Sequence, residues 1–341
     1  MLNKLLTIAI PAYNAERYLR DNLESLCIKE VLADIEVLII NDGSNDSTLD
    51  IAKEYVNRYP NTFYVISKEN GGHGSGINCG IRNANGRYFK VIDADDWVDT
   101  EPFVSLVKFL RKSNSDIVYN GFFWVFDKGE CKKEDFKKKV ETIKPFNQVI
   151  YNKEYIFDDI AEKIYIKMHN ITIKTEILKE NNIMIDENCY YVDAEYITYP
   201  IPYINTITFL EGFVYQYRIG SIGQSISINK MQKNEENYDK VIDSLLKFYQ
   251  KTMSNCTQVK RLYTSKIIAR IVAGKIKIML SFPASSVKKN QIIIFNKRLK
   301  CEYPEIYECN LNKAVSMLRK TNYRSYFITC ILVRMKYYYL N

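Results

Sequence analysis

KENGGHGSGINCGIRNANGRYFKVIDADDWVD, residues 68–99, decides how this chain is read. It joins a glycine-rich turn to a helix signal, GINCGIRNA, and then to a buried strand, YFKVIDAD at 88–95, with the carboxylates Asp93, Asp95 and Asp96 at its end. Closing an apolar strand on acids is costly unless a cation neutralises them. A hard divalent ion does so through oxygen ligands that it commonly shares with phosphates. The competing reading is a helix N-terminus, where acids are favoured, ahead of VDTEPFVSLVKFL; it accounts for Asp96 or Asp99 and poorly for Asp93. The glycines fit neither GxGxxG nor GxxxxGK[ST], and GxSxG fails at Ser75, so dehydrogenase, P-loop kinase and α/β-hydrolase readings lose their signatures. What remains is a tight turn, or glycines that let a ligand approach the start of the next helix. His73 sits in this loop as a ligand contact or a structural residue.

Upstream, strand and helix signals alternate. LLTIAIP (5–11), IEVLIIND (35–42) and TFYVISK (62–68) read as buried strands. AERYLRDNLESLC places Tyr18, Leu19, Leu23 and Leu26 at helical spacing, and Ser47 or Asp46 can cap the helix that follows the second strand. Apolar strands joined by helices imply an α/β fold with a mostly parallel sheet covered on both faces. Right-handed crossovers then gather the strand-end loops at one edge, where open α/β sheets bind ligands. Those loops hold Pro11-Ala12-Tyr13-Asn14, Asn41-Asp42-Gly43-Ser44, the glycine turn and Asp93-Ala94-Asp95-Asp96.

Downstream the pattern is mixed. DIVYNGFFWVF (116–126) reads as a strand, KGECKKEDFKKKVE as a solvated charged excursion, and NITIKTEILKENN as a strand followed by a short helix. TITFLEG and FVYQYR read as two strands with a glycine turn between them. From about residue 230 the pattern is helical, near 235–252, 257–281, 286–300 and 311–320, with no repeat of fixed period.

Composition narrows the class. Of 341 residues, 47% are hydrophobic and 26% charged, an ordinary globular balance that excludes wholesale disorder. Two histidines exclude multi-histidine zinc sites and HExxH peptidases. Eight cysteines without a CxxC pair read as small core residues of a reduced compartment. The opening MLNKLLTIAIPAYN lacks signal-peptide character, and no apolar run reaches the roughly 18 residues of a spanning helix. The expectation is a cytoplasmic protein whose membrane contacts are peripheral. The net charge of +8 is split: residues 1–227 carry 26 Lys+Arg against 33 Asp+Glu, and residues 228–341 carry 22 against 7, a net +15. Such a half faces something anionic, or is a lysine-rich helical tail.

These motifs resemble family 2 glycosyltransferases, inverting enzymes of the GT-A fold that use nucleotide-sugar donors. TIAIPAYNAERYL is similar to the family's first strand and turn, VLIINDGSNDST to its second motif, and residues 68–99 to its third loop and DxD metal motif. The likeness is dense over 5–105, thinner to about 227 and absent beyond. It implies that Pro11, Ala12 and Tyr13 border the base and that Asp42 hydrogen-bonds it. It places Asp93 near the ribose and sugar, and Mn²⁺ or Mg²⁺ on Asp95. Asn14, Gly71, Gly72, His73, Asn78 and Ala94 join the donor set. One departure is that Ile77, where many members carry arginine, precedes Asn78.

ENCYYVDAEYITYP (187–200) resembles the segment that carries the catalytic base, with Val192 in place of the first acid and Asp193 as the second. Asp193 is then the base, or a plain N-cap; Glu195 is the second choice. His169, in KMHNITIK, and Asp96 are candidates on the acceptor side or behind the site, His169 also reading as a core histidine. Arg218 either balances the leaving diphosphate or forms a buried ion pair. The sequence shows neither the QxxRW motif nor the membrane helices of processive synthases, so the expectation is transfer of one sugar per encounter.

The expected architecture is a GT-A domain over 1–227 and a basic helical region over 228–341. The expected donor is UDP-linked, and the acceptor is a saccharide or lipid-linked saccharide in surface-polysaccharide synthesis. A nucleotidyltransferase would need a glycine-rich basic loop where PAYNAE stands, and Asp42, Asp93, Asp95 and Asp193 argue against an inactive homologue. The basic half is expected to touch an anionic membrane or a second copy rather than nucleic acid, for which no motif accompanies the charge.

Overall fold

The computed structural model describes residues 4–127, 136–220 and 228–338, with side chains through 335. The chain divides into two compact units, Met1–Gln224 and Ser225–Asn341.

The first unit begins with β1 (Leu6–Ala12), α1 (Glu16–Leu26), β2 (Ile35–Asp42), α2 (Thr48–Arg58), β3 (Phe63–Lys68), α3 (Gly72–Asn83) and β4 (Tyr88–Val91). β1 pairs in parallel with β2 and β4, and β2 in parallel with β3. β1 and β2 are mostly apolar and, apart from half-buried Pro11, lie buried, as strands covered on both faces must be. α1 turns Leu19, Leu23 and Leu26 into the core, each contributing about 1.5–3 kcal/mol by burial.

The chain continues through β5 (Trp97–Val98), α4 (Thr100–Leu110), β6 (Ile117–Phe126), β7 (Lys137–Val140), β8 (Glu154–Ile156), α5 (Phe157–Ile160), β9 (Ile171–Lys174), α6 (Thr175–Glu180), α7 (Asp193–Thr198) and β10 (Thr206–Ile219). The sheet runs β3-β2-β1-β4-β9-β6-β10-β5, with β7 on β6 and β8 on β10. β9 is antiparallel to β4 and β6, which makes the sheet mixed.

Two readings are corrected. The two strands expected around Gly212 are one, β10, parallel to β6 on both sides of a register shift between Phe209 and Tyr215. Gly212 adopts φ +102, and the extra residues are absorbed as a bulge rather than a hairpin turn. In the charged excursion, Lys137–Val140 forms an exposed strand on the end of β6; residues 128–135 lie outside the described residues.

The second unit is helical: α8 (Ile228–Lys233), α9 (Glu235–Thr252), α10 (Gln258–Ser281), α11 (Ser286–Glu302), α12 (Pro304–Glu308), α13 (Lys313–Lys320) and α14 (Tyr326–Tyr338). α10 is its centre, packed on α9, α11, α12, α13 and α14. Side chains of Thr257, Ser285 and Asn312 cap α10, α11 and α13. Among the described residues no helix is long and apolar enough to cross a membrane. The described cysteines are free thiols.

Candidate active site

The loops after β1 and β2 are sewn together. Asn14, at φ +49, donates its N–H to Ser44 Oγ (3.0 Å) and accepts from Asn45 N–H (2.9 Å). Glu16 N–H donates to Asp46 (3.1 Å), and Ser47 N–H donates to Glu16 (3.0 Å). This leaves Tyr13 half exposed on the rim, while Ala12 is buried behind it.

Asp42 ends β2 facing inward. Its carboxylate accepts from Lys68 Nζ (2.6 Å) and from the N–H groups of Gly71 (3.0 Å) and Gly72 (2.8 Å). These bonds hold the glycine loop in place. Gly72 needs its residue type, since φ is +80. Gly74 needs it for space, because a Cβ there would meet the carbonyl oxygen of Asp186.

Asn78 is reassigned. Buried in α3, it accepts from Ile185 N–H (2.9 Å) and donates to Ile185 O (2.8 Å) and Glu187 Oε1 (3.1 Å). Its amide straps residues 185–187 to α3 instead of reaching a donor. Asn188 N–H adds a bond to Gly71 O (2.6 Å). The strap leads directly to Asp193 in the first turn of α7.

The acidic turn is fixed from behind. Asn22 Nδ2 donates to the carbonyls of both Asp93 and Asp96 (2.9 Å each). The Tyr215 hydroxyl accepts from Asp93 N–H (3.0 Å) and donates to Asp96 Oδ2 (2.6 Å), and Arg218 N–H donates to Asp96 Oδ1 (2.7 Å). Asp96 is fully buried; burial, then the charges of Asp95 and Asp93, push its carboxyl well above the ordinary value. It is an internal brace of the turn.

The guanidinium of Arg218 is 3% exposed. It binds Asp127 (2.5 Å), Asp21 (3.2 Å) and the Asp95 carbonyl (2.8 Å), with Tyr18 and Trp97 against its faces. The buried ion pair is therefore the role the structure gives it, and the diphosphate contact is set aside. The glycine-rich loop expected after it falls on 221–227, outside the described residues.

Asp93 faces outward from this brace. His73 Nε2 lies 2.8 Å from Asp93 Oδ1. Burial pulls the His73 pKa down, but the charge and hydrogen bond of Asp93, helped by Asp193 and Asp95, hold it above the ordinary value. Asp93 is lowered: burial would raise it, and His73 outweighs that. Asp193, in the first turn of α7, is exposed; the surrounding protein raises its carboxyl, His73 opposes and Asp93 adds. The charges of Asp93, Asp193 and Asp95 all act on His73, which puts the four side chains in one electrostatic neighbourhood.

His169 lies against Phe122, Tyr215 and Tyr217, with Nε2 3.9 Å from Asp93 Oδ2 and no hydrogen-bond partner on either ring nitrogen. Burial first, then Lys90, Lys167 and His73, outweigh Asp93 and lower its pKa to about 4, so the ring is neutral. Ligand atoms of Asp93, Asp96 and His169 all lie within 4.8 Å of one another. Since Asp96 is committed to Tyr215 and Arg218, Asp93 and neutral His169 are the members of this group open to an ion. A carboxylate–imidazole pair suits Mn²⁺ completed by other oxygens better than Mg²⁺, which takes oxygen ligands.

Glu195 is corrected as a base. It is fully buried and accepts from Asp186 N–H (2.7 Å), and burial lifts its pKa to about 8. Its place is behind the site.

Lys90, Asn22, Tyr215 and Lys68 were not anticipated. Lys90 Nζ, buried under the sheet, donates to the carbonyls of His169 (3.0 Å) and Ile171 (3.2 Å), and desolvation lowers its pKa to about 7. A lysine inside the apolar run YFKVID was the available signal, because a buried ammonium needs partners.

The profile described as glycosyl transferase family 2 matches residues 7–180, just over half of the chain. The chain belongs to glycosyl transferase family 2. It is 30% identical over 239 residues to the minor teichoic acid biosynthesis protein GgaB of Bacillus subtilis, covering 68% of this chain and 25% of that protein. The chain therefore spans about a quarter of that relative. Poly(ribitol-phosphate) beta-N-acetylglucosaminyltransferase TarS of Staphylococcus aureus is 25% identical over 65% of this chain and 36% of its own length. The crystal structure of S. aureus TarS 1–349 in complex with UDP superposes with a TM-score of 0.61 at 18% identity, over 98% of this chain and 90% of that one. This last likeness establishes the shared fold of this glycosyltransferase.

Proposed function

We propose that the protein transfers a sugar, with inversion, from a UDP-linked donor to a saccharide or lipid-linked saccharide acceptor. The product would enter a surface polysaccharide or a teichoic-acid-like polymer, and transfer would be non-processive. What carries this reading is the exposed carboxylate of Asp193, electrostatically coupled to His73 of the glycine loop and to Asp93 of the braced Asp93–Asp96 turn. The names of GgaB and TarS, and the UDP and UDP-GlcNAc held in TarS crystals, support the polymer class and the donor.

The rim of Pro11, Ala12, Tyr13 and Asn14 flanks the nucleotide, with Gly71, Gly72 and Ala94 lining its approach. Asp93 and Asp95 face the sugar and diphosphate. A divalent ion held by Asp95 with Asp93, and within reach of His169, would neutralise the diphosphate as its negative charge grows. Asp193 takes the proton of the acceptor hydroxyl while that oxygen bonds to the anomeric carbon. The bond to the donor oxygen breaks, and the nucleoside diphosphate leaves with the electron pair. Desolvation by the neighbouring protein, with the charge of Asp93 adding, raises the pKa of Asp193, which makes its carboxylate the stronger base. Residues 228–341 supply a peripheral contact, with an anionic membrane or a second copy.

Paired substitutions test this. Asp193→Asn lowers turnover by about 10²–10⁴-fold, while UDP still raises the melting temperature in the presence of Mn²⁺. Asp95→Asn abolishes the Mn²⁺-dependent part of that shift. Equal loss of donor affinity and rate in Asp193→Asn would remove it from the base role, and wild-type turnover of Asp95→Asn in EDTA would remove the metal.

A further inference from the structure

Helix α14 is apolar on two faces. Tyr326, Cys330 and Val333 face inward, and the helix packs on α10 and α13. The opposite face carries Phe327, Ile328, Ile331, Leu332 and Met335, each 48–59% exposed. Their spacing of one, four, five and eight residues makes a continuous stripe along one side. Scattered exposed hydrophobics are ordinary, but five on adjoining turns of one helix mark an interaction surface.

The charges around the stripe identify the partner. From Cys309 to Asn341 the chain has six Lys or Arg and no Asp or Glu. Arg324 precedes the stripe and Arg334 lies beside its last turn; both are exposed, as are Lys313 and Lys320 on the preceding helix. A second copy docking by the same face would bring two strongly basic units together, each with a net +15 over residues 228–341. An anionic surface reverses the sign of that interaction.

We propose that the exposed face of α14 docks on an anionic phospholipid bilayer, lying in the interface with its apolar stripe among the acyl chains and its cations at the headgroups. This rests on the peripheral-contact part of the proposed function and names its surface and its partner. The helix is an interfacial element: its outer face is apolar, its flanks are cationic, and its inner face is fixed to the protein fold. Such a tether concentrates the enzyme at the surface where a lipid-linked acceptor resides.

Co-sedimentation of the full chain with vesicles tests it. The wild type binds phosphatidylglycerol vesicles, binds phosphatidylcholine vesicles far less, and is released by salt. The variant Ile331→Ser with Leu332→Ser binds about tenfold more weakly or worse, and Arg324→Ala with Arg334→Ala about thirtyfold more weakly, at roughly fivefold per arginine. All four positions are exposed, and an unchanged melting temperature confirms that the variants fold. Unaltered binding by both variants overturns the proposal. Failure of the wild type to bind any vesicle also overturns it, as does a concentration-dependent dimer that the Ile331→Ser with Leu332→Ser change makes monomeric. The binding assay contains no sugar donor, so its failure leaves the transfer reading standing; loss of donor turnover in solution is measured separately.

Discussion

The imidazole Nε2 of His73 lies 2.8 Å from Oδ1 of Asp93, and this pair joins the glycine loop at the start of α3 to the acidic turn after β4. Each partner shifts the other toward its charged form, against the burial of both. The raised His73 stabilises the fold fully below its ordinary value of 6.5, and this is lost as pH climbs through its raised value. The lowered Asp93 stabilises above its ordinary value of 3.8, and this is lost as pH falls through its lowered value.

His73→Gln should therefore cost stability mainly between these limits. The difference from wild type, about 1 kcal/mol, should be largest near pH 5 and shrink toward both ends. Urea midpoints measured from pH 3 to 9 give the profile. A difference independent of pH would mean that the pair is not charged.

Arg218→Gln should act on folding before it acts on binding. It strands Asp127, 8% exposed, and removes the donor to the Asp95 carbonyl. Breaking a buried pair from one side costs about 3–5 kcal/mol. A melting temperature near wild type with weakened UDP binding would return Arg218 to the diphosphate.

Glu195→Gln isolates a single titration. With a folded-state pKa of about 8 against an ordinary 4.5, Glu195 binds a proton in the fold that it releases on unfolding. Its favourable effect is complete below pH 4.5 and is lost as pH rises through 8, with a slope of at most about 1.4 kcal/mol per pH unit. Gln keeps an oxygen for Asp186 N–H and does not titrate. The variant should gain on wild type as pH rises from 5 to 9, and parallel stability curves would refute the buried acid.

Gly74→Ala tests the strap. A Cβ at position 74 would meet Asp186 O, so residues 185–187 must move off α3. The expected cost is about 1–3 kcal/mol, with kcat falling more than UDP affinity because the strap leads to Asp193. Differential scanning calorimetry and a turnover assay check the two halves.

The sequence by itself determined the strand–helix alternation, the four loops at the sheet edge and Asp193 at the start of a helix. Each depends on signals within about ten residues: apolar runs, turn residues and caps. Tertiary structure alone decided which carboxylates remain open for chemistry. Asp93 and Asp96 look alike in IDADD, yet Tyr215 and Arg218, 119 and 122 residues away, consume Asp96. Asn78 looked like a donor contact until Ile185, 107 residues on, took its amide. β10 read as two strands because Gly212 is a turn signal locally, and only pairing with β6 on both sides makes it a bulge. Hydrogen-bond partners of buried polar groups are chosen by how distant segments pack, and local spacing does not encode that choice.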